Sequence, residues 1–190
     1  MTELALHLKA LSSFEFASEL RRISDLAGEG DAASQESLEG LVKNCSADAW
    51  KTDARFCAAV SSALIQTGTH RSMLFMMRYL SNLPASVPFG AVELFSSHLP
   101  LYGARLLPTL RQMAESEEEA SRAVGIQTLC NMYFEKKLQT EDETFLKARL
   151  EKFRDDRYST GHFAELVRAD MASRSPEDGE RFANGILIDS

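Results

Sequence analysis

The sequence predicts an all-α fold. Apolar residues recur at intervals of three and four along most of the chain, which places them on one face of a helix. Residues that cap helices precede many of these apolar stretches. Alternation with a period of two and runs of β-branched residues, which mark strands, are scarce. These observations predict about nine or ten helices of roughly 10–20 residues, joined by short connections.

A capping box separates the first two predicted helices. Ser12 and Glu15 form an S-x-x-E motif, in which each side chain accepts a hydrogen bond from a backbone N–H at the helix start. Gly28 and Gly30 then end the second helix, because glycine disfavours a helix interior. The apolar stripes on either side of the box are Leu4, Leu8, Leu11, Phe16, Leu20, Ile23 and Ala27.

Single capping residues mark the next helices. Asp31, Thr52 and Thr69 can each accept a hydrogen bond from the first turn of the helix that follows. The helix after Thr69 is rich in methionine, a flexible side chain that fills gaps in a core. Pro88 falls at a first turn, where its missing N–H costs nothing. The apolar residues of this methionine-rich helix include Met73, Leu74, Met76, Met77 and Leu80.

Two further helices and a tail complete the chain. Thr140 and Glu143 form a second capping box, and Ser159 or Thr160 begins the last helix. From residue 174 onwards proline and glycine interrupt the chain and the helical period is lost. We therefore predict a single helical domain over residues 1–173 and a mobile C-terminal tail over residues 174–190.

The predicted helices come in pairs, at about 13–45, 52–83, 87–115 or 104–136, and 140–173. A spacing of roughly 35–40 residues is typical of helical-hairpin repeats, in which each pair buries its apolar face against its neighbours. The pairs share this rhythm but little sequence identity. The prediction is a helical-hairpin array, with an irregular multi-helix bundle as the alternative.

Residues 104–136 carry the most specific pattern. Pro108 lies within a leucine-rich helix, an acidic turn follows, and Arg122 precedes an aliphatic second helix. This pattern resembles a HEAT repeat, although the order is Arg-Ala-Val where that family has Val-Arg, and glutamates (Glu117–Glu119) replace the usual aspartate. The resemblance implies an α-solenoid that binds a partner on its concave face, and it does not imply an enzyme. The residues expected to be buried together between the two helices are Leu107, Leu110, Ile126, Leu129 and Tyr133.

The net charge of the chain favours some classes of binding partner and disfavours others. With 21 basic and 28 acidic residues the net charge is −7. This balance disfavours nucleic acid and anionic membrane, which are bound mainly through lysine and arginine. It favours a protein partner that is basic or presents a basic patch. No apolar run approaches the roughly 18 residues of a membrane span, so none is predicted.

The cysteines indicate the compartment. Cys45, Cys57 and Cys130 lie far apart among apolar residues, without CxxC or Cys/His spacing. They are therefore predicted to be buried free thiols and not zinc ligands or a disulfide framework. Free thiols are typical of a reducing compartment. Because the N-terminus also lacks the pattern of a signal peptide, we expect a cytoplasmic, soluble protein.

Motifs for catalysis are missing from the sequence. It contains no phosphate-binding loop, dinucleotide fingerprint, HExxH helix, nucleophile elbow or EF-hand loop. None of the four histidines has a histidine or cysteine at i+3 or i+4, as a helical metal site requires. Acidic clusters at Glu115–Glu119 and Glu141–Glu143 fall at predicted first turns, where the helix dipole favours negative charge. We therefore predict no catalytic residue, no metal site and no cofactor.

Two polar stripes are the candidate partner-binding residues. The first lies on one flank of the helix after Thr69, beside Phe75, and the second follows an i, i+4, i+8 spacing on the helix after Ser116. If the two helices are equivalent members of successive hairpins, both stripes face one concave surface; the alternative is an ordinary solvated helix face. The candidate residues are Arg71, Arg78, Asn82, Gln127, Asn131 and Glu135.

Three functions are compatible with these observations. The leading one is a non-catalytic protein–protein interaction module that binds a protein partner on a helical surface. The first alternative is a bacterial immunity-type protein that inhibits a cognate toxin by occluding its site, because an acidic chain suits a basic active site. The second alternative is an enzyme whose site is assembled from residues that no sequence motif reveals.

Overall fold

Helices form all the regular structure of the described chain. The computed structural model describes residues 3–156 and 162–173, and within these ranges no strand is present. The prediction of an all-α, multi-helix fold is therefore confirmed. The described helices are α1 (Glu3–Ala10), α2 (Ser13–Gly28), α3 (Ala32–Lys43), α4 (Ala47–Thr52), α5 (Ala54–Gln66), α6 (His70–Leu80), α7 (Phe89–His98), a 3-10 helix (Leu99–Leu106), α8 (Leu107–Met113), α9 (Glu119–Phe134), α10 (Thr140–Lys152) and α11 (His162–Ser173).

Capping residues begin several helices at the predicted positions. The Ser12 hydroxyl accepts a hydrogen bond from the Glu15 N–H (3.4 Å), and the Glu15 carboxylate accepts one from the Ser12 N–H (3.0 Å). The first capping box is thus confirmed. Asp31 and Thr69 cap α3 and α6 in the same way, each accepting from the N–H three residues further on. These local hydrogen bonds fix where the helices that carry the candidate site begin.

The predicted start of the helix after Thr52 is wrong by one residue. Thr52 is the last residue of α4, and its hydroxyl donates back to the Asp48 carbonyl of that helix (2.9 Å). Asp53 takes the capping position of α5, where its carboxylate accepts from the Phe56 N–H. A threonine can close one helix as readily as it can open the next, because its hydroxyl both donates and accepts.

The second predicted capping box is also shifted by one residue. Gln139, and not Thr140, occupies the cap position of α10, and its N–H donates to the Asp142 carboxylate (3.3 Å). Asp142 is also ion-paired with Arg111 of α8 at 2.7 Å. Asp142 thus takes the role in the capping box that the sequence pattern gives to Glu143, and it also joins α10 to α8.

Two helices, α5 and α9, lie at the centres of the packing. Helix α5 contacts α2, α3, α4, α6 and α7, whereas α9 contacts α7, α8, α10, α11 and the 3-10 helix. Helix α7 contacts both central helices. The buried apolar side chains form one cluster that includes residues of α1 through α11. One hydrophobic core therefore runs through both halves of the described chain.

Helix α9 is enclosed by its neighbours. Of its 16 residues, 13 are buried. At Gly125 an added Cβ would lie 2.6 Å from the Ala114 nitrogen and 3.0 Å from the Leu110 oxygen, both backbone atoms of the α8 segment. Real Cβ atoms essentially never make contacts as short as the first of these. Glycine at this position allows α8 and α9 to pack backbone against backbone.

The stretch that resembles a HEAT repeat forms α8 and α9, which pack against each other. Of the five residues expected between them, Leu107 is only half-buried. The other four are buried as predicted: Leu110, Ile126, Leu129 and Tyr133. Pro108 lies in the first turn of α8, directly after the 3-10 helix. It therefore stands at the start of α8, whereas the sequence pattern places it within a helix.

Arg122 connects the start of α9 to the end of α10. Its side chain is buried, and Nε donates to the Asp156 carboxylate at 2.6 Å. The guanidinium also donates to the backbone carbonyls of Ser116 and Glu117 and lies 4.5 Å from the centroid of the Phe153 ring. These contacts satisfy the buried charge. They give Arg122 a role in packing and not in recognition.

A hydroxyl group on α9 forms hydrogen bonds with the backbone at the C-terminal end of α6. Ser121 Oγ donates to the Leu80 carbonyl (2.7 Å) and accepts from the Leu83 N–H (3.2 Å). All three residues are buried. The C-terminal end of a helix leaves carbonyls without helical partners, and here a neighbouring helix supplies one.

Several predictions from the sequence concern residues outside the described ranges. These are the caps proposed at Ser159 or Thr160 and the tail over residues 174–190. The last described helix, α11, has Val167 buried, as an inner-face residue should be. Leu166, which the sequence places beside it, is 43% exposed.

Candidate partner-binding groove

A surface groove with a volume of about 950 Å³ lies between α3 and α6. Helix α3 forms one wall with two charged side chains, and α6 with the residues just after it forms the other. Concave surfaces that combine apolar and a few polar groups are the usual binding sites of proteins. The groove is lined by Glu39, Lys43, His70, Arg71, Leu74, Phe75, Arg78, Tyr79 and Asn82.

Helix α6 has apolar side chains on its outer face as well as on its inner one. Leu74 is 44% exposed and Phe75 is half-buried, and both line the groove. Leu74 therefore does not belong to the buried face of α6. The other four apolar residues named above for this helix are buried: Met73, Met76, Met77 and Leu80. An adjacent leucine and phenylalanine give the groove an apolar centre that contacts solvent.

An ion pair joins the two walls of the groove. Arg71 of α6 donates to both carboxylate oxygens of Glu39 on α3, from Nε at 2.7 Å and from Nη2 at 2.9 Å. Gln35 donates to the same carboxylate (3.0 Å). The hydrogen bond from Arg71 is the main reason that the pKa of Glu39 is held below its ordinary value. Glu39 and Arg71 thus neutralise each other and fix the spacing of the walls.

Two cations remain at the rim of the groove. The Lys43 ammonium lies 5.6 Å from the centroid of the Phe75 ring. Arg78 follows Leu74 by one helical turn and is exposed. Within residues 3–156 and 162–173, neither Lys43 nor Arg78 forms an ion pair. The groove of an acidic chain therefore presents positive charge beside its apolar centre.

The base of the groove is held by Tyr79. Its hydroxyl accepts a hydrogen bond from Trp50 Nε1 (2.7 Å) and donates one to the Cys45 carbonyl (3.1 Å). Burial raises the pKa of Tyr79, so the hydroxyl keeps its proton and can donate. Trp50 is buried and packs edge-on against Phe95, with 6.0 Å between the ring centroids. These contacts order the groove floor against the core.

The first predicted stripe lies on this groove. Arg71, Arg78 and Asn82 all line it, and all three are exposed. Their roles differ, because Arg71 is engaged by Glu39 whereas the Asn82 amide donates to the Arg78 carbonyl at 2.9 Å. Among the three, Arg78 offers the charge that a partner can still use.

The second predicted stripe lies on α9 and is only partly accessible. Gln127 is only 5% exposed, and the Asn131 amide donates to the carbonyls of Gln127 and of Ser96 on α7. Glu135 is exposed at the end of α9 and forms an ion pair with Lys137. Gln127 is therefore not on a solvated face and Asn131 is half-buried, because α7 packs beside them.

The sequence stripe misses half of the groove. Lys43 belongs to a different helix, so no spacing along α6 can place it beside Phe75. Apolar residues occupy both faces of α6, so its periodicity does not separate the groove residues from the core. The sequence does carry one signal of an apolar outer face, because consecutive side chains on a helix point about 100° apart. Met73, Leu74 and Phe75 therefore cannot all face the core, and Met73 is the one that is buried.

A serine–histidine contact joins α5 and α7. Ser62 Oγ lies 2.9 Å from His98 Nδ1, and the Gln66 amide donates to the same oxygen at 3.1 Å. Burial lowers the pKa of His98 and so favours its neutral ring. A catalytic pair of this kind needs a third group to orient the imidazole. Among the described residues no carboxylate is hydrogen-bonded to His98, and the contact serves as a link between the two helices.

Comparison of the chain with protein-family models, with curated proteins and with solved structures finds no significant match. Within the described ranges, no cluster of three His, Cys, Asp or Glu side chains has an arrangement that holds a metal ion. Across the same residues, no helix combines the length and apolar character that crossing a bilayer requires. The candidate site is thus assigned from its own geometry and chemistry.

Proposed function

We propose that this chain is a non-catalytic protein-interaction module that binds a partner segment in the groove between α3 and α6. The observation that carries the proposal is the exposed apolar pair Leu74 and Phe75, with Lys43 and Arg78 beside it. Apolar contacts supply affinity and the rim charges select the partner. A HEAT-like helical-hairpin array and a cytoplasmic location belong to the same proposal. They are supported by the packing of α8 on α9 and by three free thiols.

The segment best suited to the groove is an amphipathic helix with acidic residues. Its apolar side chains, three or four positions apart, would cover Leu74 and Phe75. Aspartate or glutamate beside them would pair with Lys43 and Arg78, because Glu39 is already neutralised by Arg71. The net charge of −7 favours a basic partner surface elsewhere. A protein that carries an acidic amphipathic helix on an otherwise basic surface satisfies both charge requirements.

A random peptide library displayed on phage tests this proposal directly. The native chain is the bait, and the double variant Lys43→Glu/Arg78→Glu is the counter-selection. We expect enriched peptides to carry apolar residues at helical spacing, interleaved with aspartate or glutamate. Enrichment of basic peptides, or of peptides that both baits retain equally, would overturn the proposed partner chemistry.

Variants of the groove then locate the binding site. The dissociation constant of a labelled, enriched peptide should rise by at least about 10-fold in Leu74→Asp, because a charge replaces the apolar contact. The matched control is Glu117→Lys/Glu118→Lys, which changes exposed charges that do not line the groove. Fluorescence anisotropy measures both, and circular dichroism checks that each variant remains helical. Equal affinity in Leu74→Asp and the native chain would place binding elsewhere.

The second candidate function is an inhibitor that occludes a basic site on a toxin. The net charge of −7 supports it, and Glu117 and Glu118 are exposed before α9. In that case the association rate with the toxin should fall as salt rises, because electrostatic steering is screened. Charge reversal at Glu117 and Glu118 should slow association, whereas Lys43→Glu/Arg78→Glu should not. The two functions therefore predict opposite responses to the same pair of variants.

A further inference from the structure

Two of the three thiols line one small cavity. The cavity has a volume of about 230 Å³ and lies between α1, the connection from α3 to α4, and α5. Cys45, just after α3, and Cys57, in α5, both line it. All three cysteines are free and buried, as the sequence predicts. Cys45 and Cys57, which are far apart in sequence, are thus brought to a shared space by the packing of α3 on α5.

The two thiols interact with each other. The Cys45 thiol donates to the Leu41 carbonyl (3.5 Å), and the interaction between the two thiols raises the pKa of Cys45 and lowers that of Cys57. The first proton to leave the pair therefore comes from Cys57. By contrast, burial raises the pKa of Cys130, within α9, to about 12. Cys130 is an internal reference for a thiol without this arrangement.

An ion pair flanks the cavity. Lys9 of α1 lies 2.6 Å from the carboxylate of Asp53, and each side chain is about one-third exposed (36% and 37%). Both residues line the cavity with the thiols. The Lys9 ammonium favours a thiolate and the Asp53 carboxylate opposes it. The cavity thus reaches partly exposed polar groups and is large enough for a small polar molecule, since one water occupies about 30 Å³.

We propose that Cys45 and Cys57 are an oxidation site, at which a hydroperoxide converts the two thiols into an intramolecular disulfide. The Cys57 thiolate attacks the terminal oxygen of the peroxide, the O–O bond breaks, and Cys57 becomes a sulfenic acid. With hydrogen peroxide the leaving group departs as water. Cys45 then attacks the Cys57 sulfur, and the sulfenic hydroxyl leaves as a second water after taking the Cys45 proton. Two thiols and one peroxide thus give one disulfide and two waters.

The site is connected to the groove by one hydrogen bond. The Tyr79 hydroxyl donates to the backbone carbonyl of Cys45 (3.1 Å), and Tyr79 lines the groove. Closing a disulfide draws the two sulfurs to about 2.05 Å and requires the backbones to adapt. The adjustment at Cys45 therefore reaches the groove floor. The oxidation itself does not depend on the proposed function of the groove.

Oxidation of the native chain with dilute hydrogen peroxide tests the site. We expect a monomer that loses about 2 Da, the mass of two hydrogen atoms, and that recovers on reduction with dithiothreitol. Peptide mapping after alkylation should find Cys45 joined to Cys57 and Cys130 still alkylated. The pair should react at least about 10-fold faster than Cys130, because only the pair offers a favoured thiolate. A disulfide-linked dimer, involvement of Cys130, or equal rates at all three thiols would overturn the proposal.

Single variants assign the two roles. In Cys45→Ser, Cys57 should stop at the sulfenic acid, with a gain of about 16 Da that a dimedone probe traps. In Cys57→Ser, Cys45 should stay reduced: the influence of the Cys57 thiol is lost, but burial still raises the pKa of Cys45. Cys130→Ser should oxidise like the native chain. Sulfenic acid on Cys45 in place of Cys57 would contradict the assignment, and the native-chain mapping remains decisive if a variant does not fold.

Discussion

Helices α6 and α9 both carry a predicted polar stripe but lie in opposite surroundings. Helix α6 is packed on one side and borders a groove on the other, so its outer residues meet solvent. Helix α9 contacts five other helical elements and has 13 of its 16 residues buried. Polar side chains on α6 therefore remain available for recognition. On α9 they are satisfied internally, as with the Thr128 hydroxyl, which donates to the Val124 carbonyl at 2.7 Å.

The comparison shows what a polar stripe on a helix does and does not indicate. A regular spacing reports which residues share a face, but not what that face contacts. Among the described residues no helix covers the Arg71, Arg78 and Asn82 stripe, and all three side chains are exposed. The Gln127 and Asn131 stripe has the same appearance in sequence, yet α7 packs beside it and Gln127 is buried. Exposure is decided by the neighbours of a helix and not by its own periodicity.

Truncation of leucine should separate the two environments most strongly. Leu110 is fully buried against α9, so Leu110→Ala should lower the free energy of unfolding by about 2–5 kcal/mol. Leu74→Ala, at the exposed centre of the groove, should lower it by less than about 0.5 kcal/mol while weakening peptide binding. Urea denaturation followed by circular dichroism measures both. Similar losses for the two variants would contradict the difference in burial.

Adding a single methyl group tests the close approach of α8 and α9. Gly125→Ala should cost about 1–3 kcal/mol of unfolding free energy, because the new Cβ meets backbone atoms that cannot rotate away. The matched control is Gly40→Ala in α3, where nothing lies within 4 Å of an added Cβ. It should stabilise the chain by about 0.5–1 kcal/mol, the ordinary gain for alanine in a helix. Stabilisation by both substitutions would show that the contact between α8 and α9 leaves space for a side chain at Gly125.

The smallest predicted effect concerns acid and the groove. The pKa of Glu39 is lowered in the folded chain, chiefly by the hydrogen bond from Arg71, so ionised Glu39 stabilises the fold above its ordinary value of 4.5. That contribution is lost as the pH falls through the lowered pKa. Glu39→Gln should therefore be less stable than the native chain near pH 7, by less than about 1 kcal/mol since Arg71 is half-exposed. The two should converge below pH 4.5, as measured by thermal unfolding across pH. A stability difference between the two proteins that grows as the pH falls would contradict the stabilising role of ionised Glu39.

Local hydrogen bonding made several helix starts predictable from sequence. Ser12 and Glu15 satisfy each other within one turn, so no distant residue is needed to fix that boundary. The start of α10 could not be predicted in the same way. There Asp142, which completes the capping box, is also bound by Arg111, about 30 positions earlier. Boundaries set within one turn are visible in a sequence, whereas boundaries set by another helix are not.

The groove was only partly predictable for the same physical reason. Arg71, Arg78 and Asn82 share one helix, so their common face follows from spacing alone. Lys43 reaches Phe75 only after α3 has packed on α6. The neutralisation of Arg71 by Glu39 likewise depends on that packing. The sequence therefore revealed some of the side chains that line the groove, but not the net charge of the groove.

The hydroxyl of Ser121 couples local unfolding at the end of α6 to local unfolding of α9. Because it bonds both the Leu80 carbonyl and the Leu83 N–H, the end of α6 cannot fray without breaking contacts to a buried helix. Amide hydrogens exchange with solvent only when their hydrogen bonds open. The Leu83 amide should thus exchange with the slow cooperative unit that contains α9 and not with the surface turn in which it lies. The groove, although it lies on the surface, is thereby fixed at one end to the most protected part of the molecule.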